Sequence, residues 1–319
     1  MTSPADQHVI GATLDENVGA IDLGELLARG ERAAFHGRPI AGVEPLRAAV
    51  QLADQQGAVA ESLGASWLLG VCLAAAGKFG SAVELLEPLA TSSRQSLDER
   101  LFCSLSAATL ASIYRQLGRH AEAQQVDERA LNLAGDAAEA RFDAILGLAA
   151  DAVGLGSTAE AEAALIEATA LATDRTDWWR QRVRLGWTRA EVALMHDDPA
   201  AAVAAATEAV NRAEEAGAPR HVAKGLLFSG VAYIELSDLQ SATSCLRRAA
   251  TLAESVGALP LVWPARAVLG ALLAQTNAME SEAALEAARV AVRRIAEDLP
   301  SGTAQAWFAR PDVAALLEK

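Results

Sequence analysis

The sequence predicts an all-α protein, a right-handed α-solenoid of about seven helix hairpins followed by a C-terminal capping helix. Three observations predict it: an alanine-rich composition, a repeat of about forty residues, and glycines at regular helix ends. Alanine supplies 74 of the 319 residues, whereas aromatic residues make up only 4%. Such small side chains suit close helix packing rather than one bulky core. A repeat array also escapes the limit of roughly 250–300 residues on a single core.

The repeat is defined by small residues that keep the same phase along the chain. The first helix of each unit carries one at spacings of 38 to 41 residues: Gly30, Gly70, Ala111, Ala149, Ala190, Gly230 and Gly270. In six units a second small residue follows twelve positions later: Gly42, Ala82, Ala123, Ala161, Ala202 and Ala242. In the seventh unit this position slips by about two residues, to Ala284. Because larger side chains would force the helices apart, each unit is predicted to be an antiparallel helix hairpin.

Turn and cap residues mark where these helices start and stop. Glycines that favour a positive φ are expected to end first helices at Gly77, Gly118 and Gly156, and second helices at Gly57, Gly135, Gly217 and Gly257. Ser96 with Glu99 and Ser237 with Gln240 are expected to form capping boxes. Asp198 before Pro199 is expected to begin another helix. These signals agree with the phase of the small residues.

Residues 69–90 (LGVCLAAAGKFGSAVELLEPLA) and 110–131 (LASIYRQLGRHAEAQQVDERAL) resemble the tetratricopeptide repeat. The resemblance extends over residues 21–299. The units are longer than the usual repeat, they lack its terminal proline, and Ser66 and Ala107 replace its usual tryptophan. They look most like the tetratricopeptide sensor regions of bacterial regulators. The resemblance implies an N-terminal tail at residues 1–20, a superhelix at 21–299 and a cap at 300–319.

The C-terminal segment resembles the element that closes such sensor regions. In that element an aromatic residue precedes an Arg-Pro pair, here Arg310-Pro311, and the proline begins a last short helix. We expect the exposed face of the seventh unit to be covered by Trp307, Phe308, Val313 and Leu316.

Composition also excludes several classes of function. A net charge of −14 disfavours general binding of nucleic acid or of anionic membranes. The sequence shows neither a leader pattern nor a long uncharged apolar stretch, and its cysteines, Cys72, Cys103 and Cys245, lack metal-site spacing; a cytoplasmic location is therefore expected. The five histidines show no metal-ligand spacing, and no phosphate-binding loop or nucleophile motif occurs. We therefore expect no enzyme activity, no cofactor and no metal.

The candidate site is the concave wall formed by the first helices. The residues predicted to bind a partner there are Trp67, Arg115, Arg180, Arg184, Trp187, Lys224 and Leu227. Segment 175–189 holds five arginines and three of the six tryptophans. Arg180 and Arg184 share a helix face with Trp187, which would suit an acidic peptide, a terminal carboxylate or a phosphate.

A structural interpretation of segment 175–189 stays open. Its tryptophans would then fill a joint between units, and its arginines would pair with acids such as Glu160, Glu162 and Glu191. Such surface ion pairs contribute only about 0–1 kcal/mol each.

Two functions are compatible with this wall, and the sequence favours the first of them. One is a protein–protein interaction scaffold that holds a partner protein or peptide in an open groove. The other is a regulatory sensor that binds a small ligand or signalling peptide and acts on a separate transcription regulator. A scaffold predicts an interface of about 1,200–2,000 Å², and a sensor predicts a closed pocket of about 300–1,000 Å³. A homodimer formed through Trp263 and Trp307 near the end of the array is a further alternative.

Overall fold

The computed structural model describes residues 22–92 and 96–318, and within these ranges it contains helices and turns but no strand. The tail predicted at residues 1–20 lies outside the described residues. The helices are α1 Leu23–His36, α2 Val43–Gln56, α3 Val59–Ala75, α4 Phe79–Ala90, α5 Leu97–Gln116, α6 His120–Ala134, α7 Ala138–Leu155, α8 Thr158–Ala172, α9 Trp179–Met195, α10 Pro199–Glu215, α11 Pro219–Glu235, α12 Leu239–Val256, α13 Leu259–Leu273, α14 Ala278–Ala296, α15 Ser301–Phe308 and α16 Pro311–Leu317. A short 3-10 helix, Pro39–Gly42, precedes α2. None of the described helices is both long and apolar enough to cross a lipid bilayer.

The first fourteen helices form seven consecutive hairpins, as the repeat predicts. In each hairpin the odd-numbered helix, here called the A helix, packs against the following B helix and against the next hairpin. The predicted small residues lie at these contacts. A Cβ atom on Gly70 would lie only 2.5 Å from Cδ2 of Leu86, so the leucine of the B helix occupies the space that glycine leaves. The all-α solenoid is therefore confirmed.

The turns between helices follow the predicted glycines, with one correction. The seven glycines expected to end helices all have a positive φ. In the fifth and sixth hairpins Asp197 and Ser237 take this left-handed position, at φ of 57° and 59°. Ser237 therefore belongs to the turn, and its predicted role as the cap of α12 is wrong. Asp238 caps α12 instead, accepting a hydrogen bond from the Ser241 N–H at 3.1 Å.

The C-terminal segment forms two short helices, α15 and α16, where one capping helix was expected. Pro311 begins α16 as expected. Trp307, Val313 and Leu316 are buried, but Phe308 is 37% exposed and does not cover the seventh hairpin as expected. Trp263 packs edge-on against Trp307 at 5.8 Å between ring centroids. These two tryptophans therefore meet each other rather than forming the exposed surface that self-association through them would need.

The superhelix closes on itself after about five hairpins. The backbone N–H of Ser81 in α4 donates to Asp298 at 2.9 Å, and its hydroxyl donates to the same carboxylate at 2.8 Å. Arg310, which precedes α16, donates to the Gln116 carbonyl at the end of α5. Arg220 of α11 donates to the Ala34 carbonyl of α1 at 3.3 Å. Each of the first three hairpins thus contacts a part of the chain that lies about five repeats later in the sequence.

Candidate functional site

The inner wall of the superhelix lines a cavity of about 430 Å³ that stays partly open to solvent. Every A helix contributes to its wall. The contributing side chains include Phe35, Trp67, Ala108, Asp143, Arg184, Lys224 and Trp263, one from each of the seven A helices, together with Arg310. The inner wall therefore bounds one partly open cavity, and the volume of this cavity matches that of pockets that bind small molecules.

The seven residues predicted to bind a partner all line this cavity: Trp67, Arg115, Arg180, Arg184, Trp187, Lys224 and Leu227. The repeat phase brings them together because equivalent positions of successive A helices face the superhelix axis. Their binding role stays a prediction. Two further lining residues, Arg220 and His221, were missed. The forty-residue period could have found Arg220, which lies one repeat after Arg180.

Four cations line the part of the cavity formed by α9 and α11. Arg180 and Arg184 of α9 recur one repeat later as Arg220 and Lys224 of α11. In both helices the two cations are four residues apart and so share one face. We call these four residues the cationic cluster.

Only two of the four cations in the cationic cluster form ion pairs with an acidic side chain. Asp143 of α7 pairs with Arg180 at 3.0 Å and also with Arg184. Among the described residues, neither Arg220 nor Lys224 has a carboxylate oxygen within 4 Å. Burial, with a smaller contribution from the positive charges of Arg180 and Arg184, lowers the pKa of Arg220 to about 10. The cluster therefore carries positive charge that the surrounding residues do not neutralise.

Lys224 lies against aromatic rings rather than against an acid. Its ammonium group is 4.7 Å from the centroid of the Trp187 ring and 5.6 Å from that of Phe228. Burial lowers the pKa of Lys224, and the charge of the nearby Glu191 opposes that shift. Burial also raises the pKa of Glu191. Lys224 is thus a weakly paired cation held by aromatic faces in the cavity wall.

His221 lies among aromatic rings beside the cationic cluster. It stacks on Trp187 at 5.4 Å between centroids and contacts Trp179 and Phe35. Burial, followed by the charge of Arg220, holds its pKa well below the usual value, so the ring is neutral near pH 7. Among the described residues, Nδ1 of His221, Nε1 of Trp187 and Nε of Arg220 have no hydrogen-bond partner.

Arg115 forms a separate, saturated ion-pair network at another part of the wall. It pairs with Asp127 of α6 and, at 3.0 Å, with Asp151 of α7. Both carboxylates are fully buried. Burial raises the pKa of Asp127 well above its usual value, and the Arg115 guanidinium opposes this shift. Because Asp127 and Asp151 both contact its guanidinium, Arg115 is already engaged within the wall.

Segment 175–189 divides between the cavity and the joint that precedes α9. Arg182 donates to the backbone carbonyls of Ala172, Thr173 and Arg175 and so closes the C-terminal end of α8. Trp178 is buried against Phe142. Trp179 packs between His36 of α1 and His221 of α11, where the superhelix closes. Part of the segment is therefore structural, as the alternative interpretation expected.

The expected acidic partners of this segment are wrong for the cavity arginines. Arg180 and Arg184 pair with Asp143 instead of Glu160, Glu162 or Glu191. Glu162 pairs with His196, with 2.7 Å between Oε1 and Nε2. The described residues contain no cluster of three or more His, Cys, Asp or Glu side chains that could hold a metal ion. Cys72 is buried, which raises the pKa of its thiol to about 12 and keeps it protonated.

A tetratricopeptide repeat family model matches residues 60–136, which span α3 to α6. The comparison with curated proteins gives no match. A solved Rap protein complexed with Competence and Sporulation Factor has a similar fold, at a TM-score of 0.59 and 12% identity over 92% of this chain and 79% of that one. Aspartyl phosphate phosphatase F from Bacillus subtilis is similar at 0.50 and 14% identity, over 99% and 85% of the two chains.

A signal-transduction ATPase with a tetratricopeptide repeat sensor, from Pyrococcus horikoshii, is similar at a TM-score of 0.52 and 14% identity. The match covers 92% of this chain but only 43% of that one. Tetratricopeptide folds generally act as non-catalytic scaffolds for protein interaction. The family model thus shows tetratricopeptide repeats at residues 60–136, and the seven hairpins and these neighbours show that the whole chain is similar in fold to tetratricopeptide repeat proteins.

Proposed function

We propose that the chain is a regulatory sensor whose central cavity binds a small anionic ligand or the anionic end of a short peptide. The bound ligand would alter how the chain contacts a separate regulator protein. One observation carries this proposal: the inner wall lines a cavity of about 430 Å³, and this wall holds the cationic cluster. The proposed role is binding without catalysis, in the cytoplasm.

Closure favours the sensor over the scaffold. A scaffold that holds a protein segment needs an open groove with room for about 1,200–2,000 Å² of interface. Here the Ser81–Asp298 hydrogen bonds and the Arg310–Gln116 hydrogen bond join distant parts of the superhelix. The volume that remains lies within the range of about 300–1,000 Å³ typical of small-molecule pockets. A cavity of this volume suits a small molecule or the end of a short peptide better than a folded partner.

Two residues both line the cavity and form closing contacts, so a bound ligand can affect the shape of the superhelix through them. Arg220 lines the cavity and also donates to the Ala34 carbonyl across the closure. Arg310 lines the cavity and donates to Gln116. A ligand that engages either guanidinium would change the strength of the closing contacts and hence the pitch of the superhelix. The sensor named in the Pyrococcus horikoshii ATPase and the factor bound to the Rap protein are consistent with such a role.

Filling the cavity tests the proposal. Ala150 of α7 lines the cavity, whereas Ala163 of α8 is exposed on the outer surface. Native mass spectrometry and thermal melts would compare the wild type, Ala150→Trp and Ala163→Trp, each with and without a protein-free small-molecule extract of the source cells. We expect added mass and a higher melting temperature for the wild type and Ala163→Trp, and neither for Ala150→Trp. Binding that is equal in all three proteins, or absent from the wild type, would contradict the proposal.

A further inference from the structure

We propose that the cavity recognises a phosphate monoester of a small apolar or aromatic alcohol, bound through the cationic cluster. This inference rests on the proposed function and specifies the ligand's chemistry. The cluster is a built site, because Arg180, Arg184, Arg220 and Lys224 converge from two neighbouring A helices at matched repeat positions. Planar guanidinium groups and an ammonium group are the donors that phosphate oxygens prefer.

The charge balance of the wall indicates an anion with about two negative charges. Two other cations of the wall are paired with carboxylates outside it, Arg115 with Asp127 and Asp151 and Arg310 with Asp312. The four cations of the cluster face two acids of the wall, Asp143 and Glu191, which leaves an excess of two positive charges at the cluster when both acids are ionised. Asp143 is already shared by two arginines. A phosphate monoester carries about −1.5 to −2 at pH 7, whereas a monocarboxylate carries only −1. The phosphate therefore matches the excess more closely.

The cations that have a carboxylate partner and those that have none differ in their expected roles: the first are held in position, and the second are available to a ligand. Asp143 holds Arg180 and Arg184 in place, while among the described residues neither Arg220 nor Lys224 has a carboxylate oxygen within 4 Å. The unpartnered Nε of Arg220 and the unpartnered Nδ1 of His221, which is 2% exposed, lie in the same part of the wall. Polar groups left this way inside a protein carry an energetic cost that a bound anion can relieve.

The rest of the wall indicates an apolar body attached to the anion. Trp67, Val71 and Leu146 line the cavity without charge. The Arg180 guanidinium lies 5.6 Å from the centroid of the Phe35 ring, so the charged and apolar parts of the wall adjoin each other. Free inorganic phosphate would use only the charged part. A small organic monoester would use both and would displace water from the apolar side chains.

Calorimetric titration of the intact chain with four probes tests the ligand class: phenyl phosphate, benzoate, phthalate and inorganic phosphate. We expect phenyl phosphate to bind at least tenfold more tightly than each of the others. Phthalate carries two carboxylates, so equal or tighter phthalate binding would overturn the phosphate in favour of a dicarboxylate. Equal benzoate binding would overturn the charge argument, and equal inorganic phosphate binding would overturn the apolar body.

Two variants locate the site. Lys224→Met removes a free cation without touching the closing contacts, and we expect it to lower the affinity for phenyl phosphate at least tenfold. Arg247→Gln is the matched control, since Arg247 is an exposed residue of α12. It pairs with Glu280 and does not line the cavity. Its affinity should equal that of the wild type. Melting curves without ligand establish that both variants fold, and Lys224→Gln replaces Lys224→Met if the latter does not. Unchanged affinity in the folded Lys224 variant would refute the site.

The outcome for this inference is distinguishable from that for the proposed function. If phenyl phosphate fails to bind while the cell extract still stabilises the wild type and not Ala150→Trp, the phosphate class is wrong and the sensor proposal stands. If neither the probe nor the extract binds, both are refuted.

Discussion

Gly80→Ala is predicted to open the closed superhelix. Gly80 lies in the first turn of α4, directly beside the end of α14. A Cβ atom at this position would be 1.9 Å from the backbone carbonyl oxygen of Asp298. Ordinary van der Waals contacts begin near 3.4 Å, and a backbone oxygen cannot rotate away as a side chain can. The two segments must therefore separate by more than an ångström, which breaks the hydrogen bonds from Ser81 to Asp298.

The size of the effect follows from those hydrogen bonds. Two hydrogen bonds to a carboxylate are worth about 1.5–3 kcal/mol each when formed within the protein. They are only partly buried, so the lower half of that range applies. Alanine gains up to about 1 kcal/mol over glycine from helix propensity. With about 1 kcal/mol subtracted, the net loss is about 2–3.5 kcal/mol. This loss corresponds to a fall of about 4–7 °C in melting temperature at about 2 °C per kcal/mol.

Hydrogen–deuterium exchange reads the closure directly. In Gly80→Ala we expect faster exchange in peptides that contain the Ser81 amide and in peptides from the end of α14, with unchanged exchange in α7 and α8. Small-angle scattering should show a larger radius of gyration. The control is Gly302→Ala, where an added Cβ meets no atom within 4 Å. If Gly80→Ala keeps wild-type exchange and melting temperature, the closed superhelix is refuted.

Three further substitutions test the packing, the turns and the buried charges. Leu86→Ala should destabilise the chain by about 2–5 kcal/mol in thermal or urea melts, because the fully buried leucine fills the space beside Gly70. Ser237→Gly should stabilise it by about 1 kcal/mol by relieving the positive φ, whereas Asp238→Ala should cost about 0.5–2 kcal/mol as a lost cap; equal effects of the two would contradict the reassigned turn. Burial raises the pKa of Asp127 in the folded state above its value in the unfolded state. The folded state therefore binds the proton more tightly, and stability falls as the pH rises from the ordinary carboxyl range towards the raised pKa. As the pH of the melts is raised from about 4, Asp127→Asn should therefore lose less stability than the wild type, by about 1.4 kcal/mol per unit of pKa difference, and a parallel pH profile would refute this.

The hairpins were predictable because local signals and the repeat phase agree. Gly70 was identified as a close-packing position from spacing alone, and the structure places Leu86 against it. Ser237 was misassigned because Ser-x-x-Gln fits a capping box, while the repeat phase places this serine where other units have glycine. The period was the stronger signal, and applying it to every turn would have given the correct assignment.

Closure of the superhelix was not predictable from the sequence. It depends on the accumulated rotation of five hairpins, and a small error in each crossing angle becomes a large error at the end. The contact between Gly80 and Asp298 joins residues 218 positions apart, beyond the reach of any local pattern. For this reason the inward-facing residues were predicted individually, but the cavity that they enclose was not.

Closure and ligand binding are thermodynamically linked in the proposed sensor. If the ligand binds only the closed form, its apparent affinity falls in proportion to the fraction of molecules that are closed. Gly80→Ala lies outside the cavity wall, so it should weaken binding of phenyl phosphate without altering any group that contacts it. By reciprocity, phenyl phosphate should slow the exchange of the Ser81 amide in the wild type. Weaker binding without this protection would contradict the linkage, because each effect requires the other.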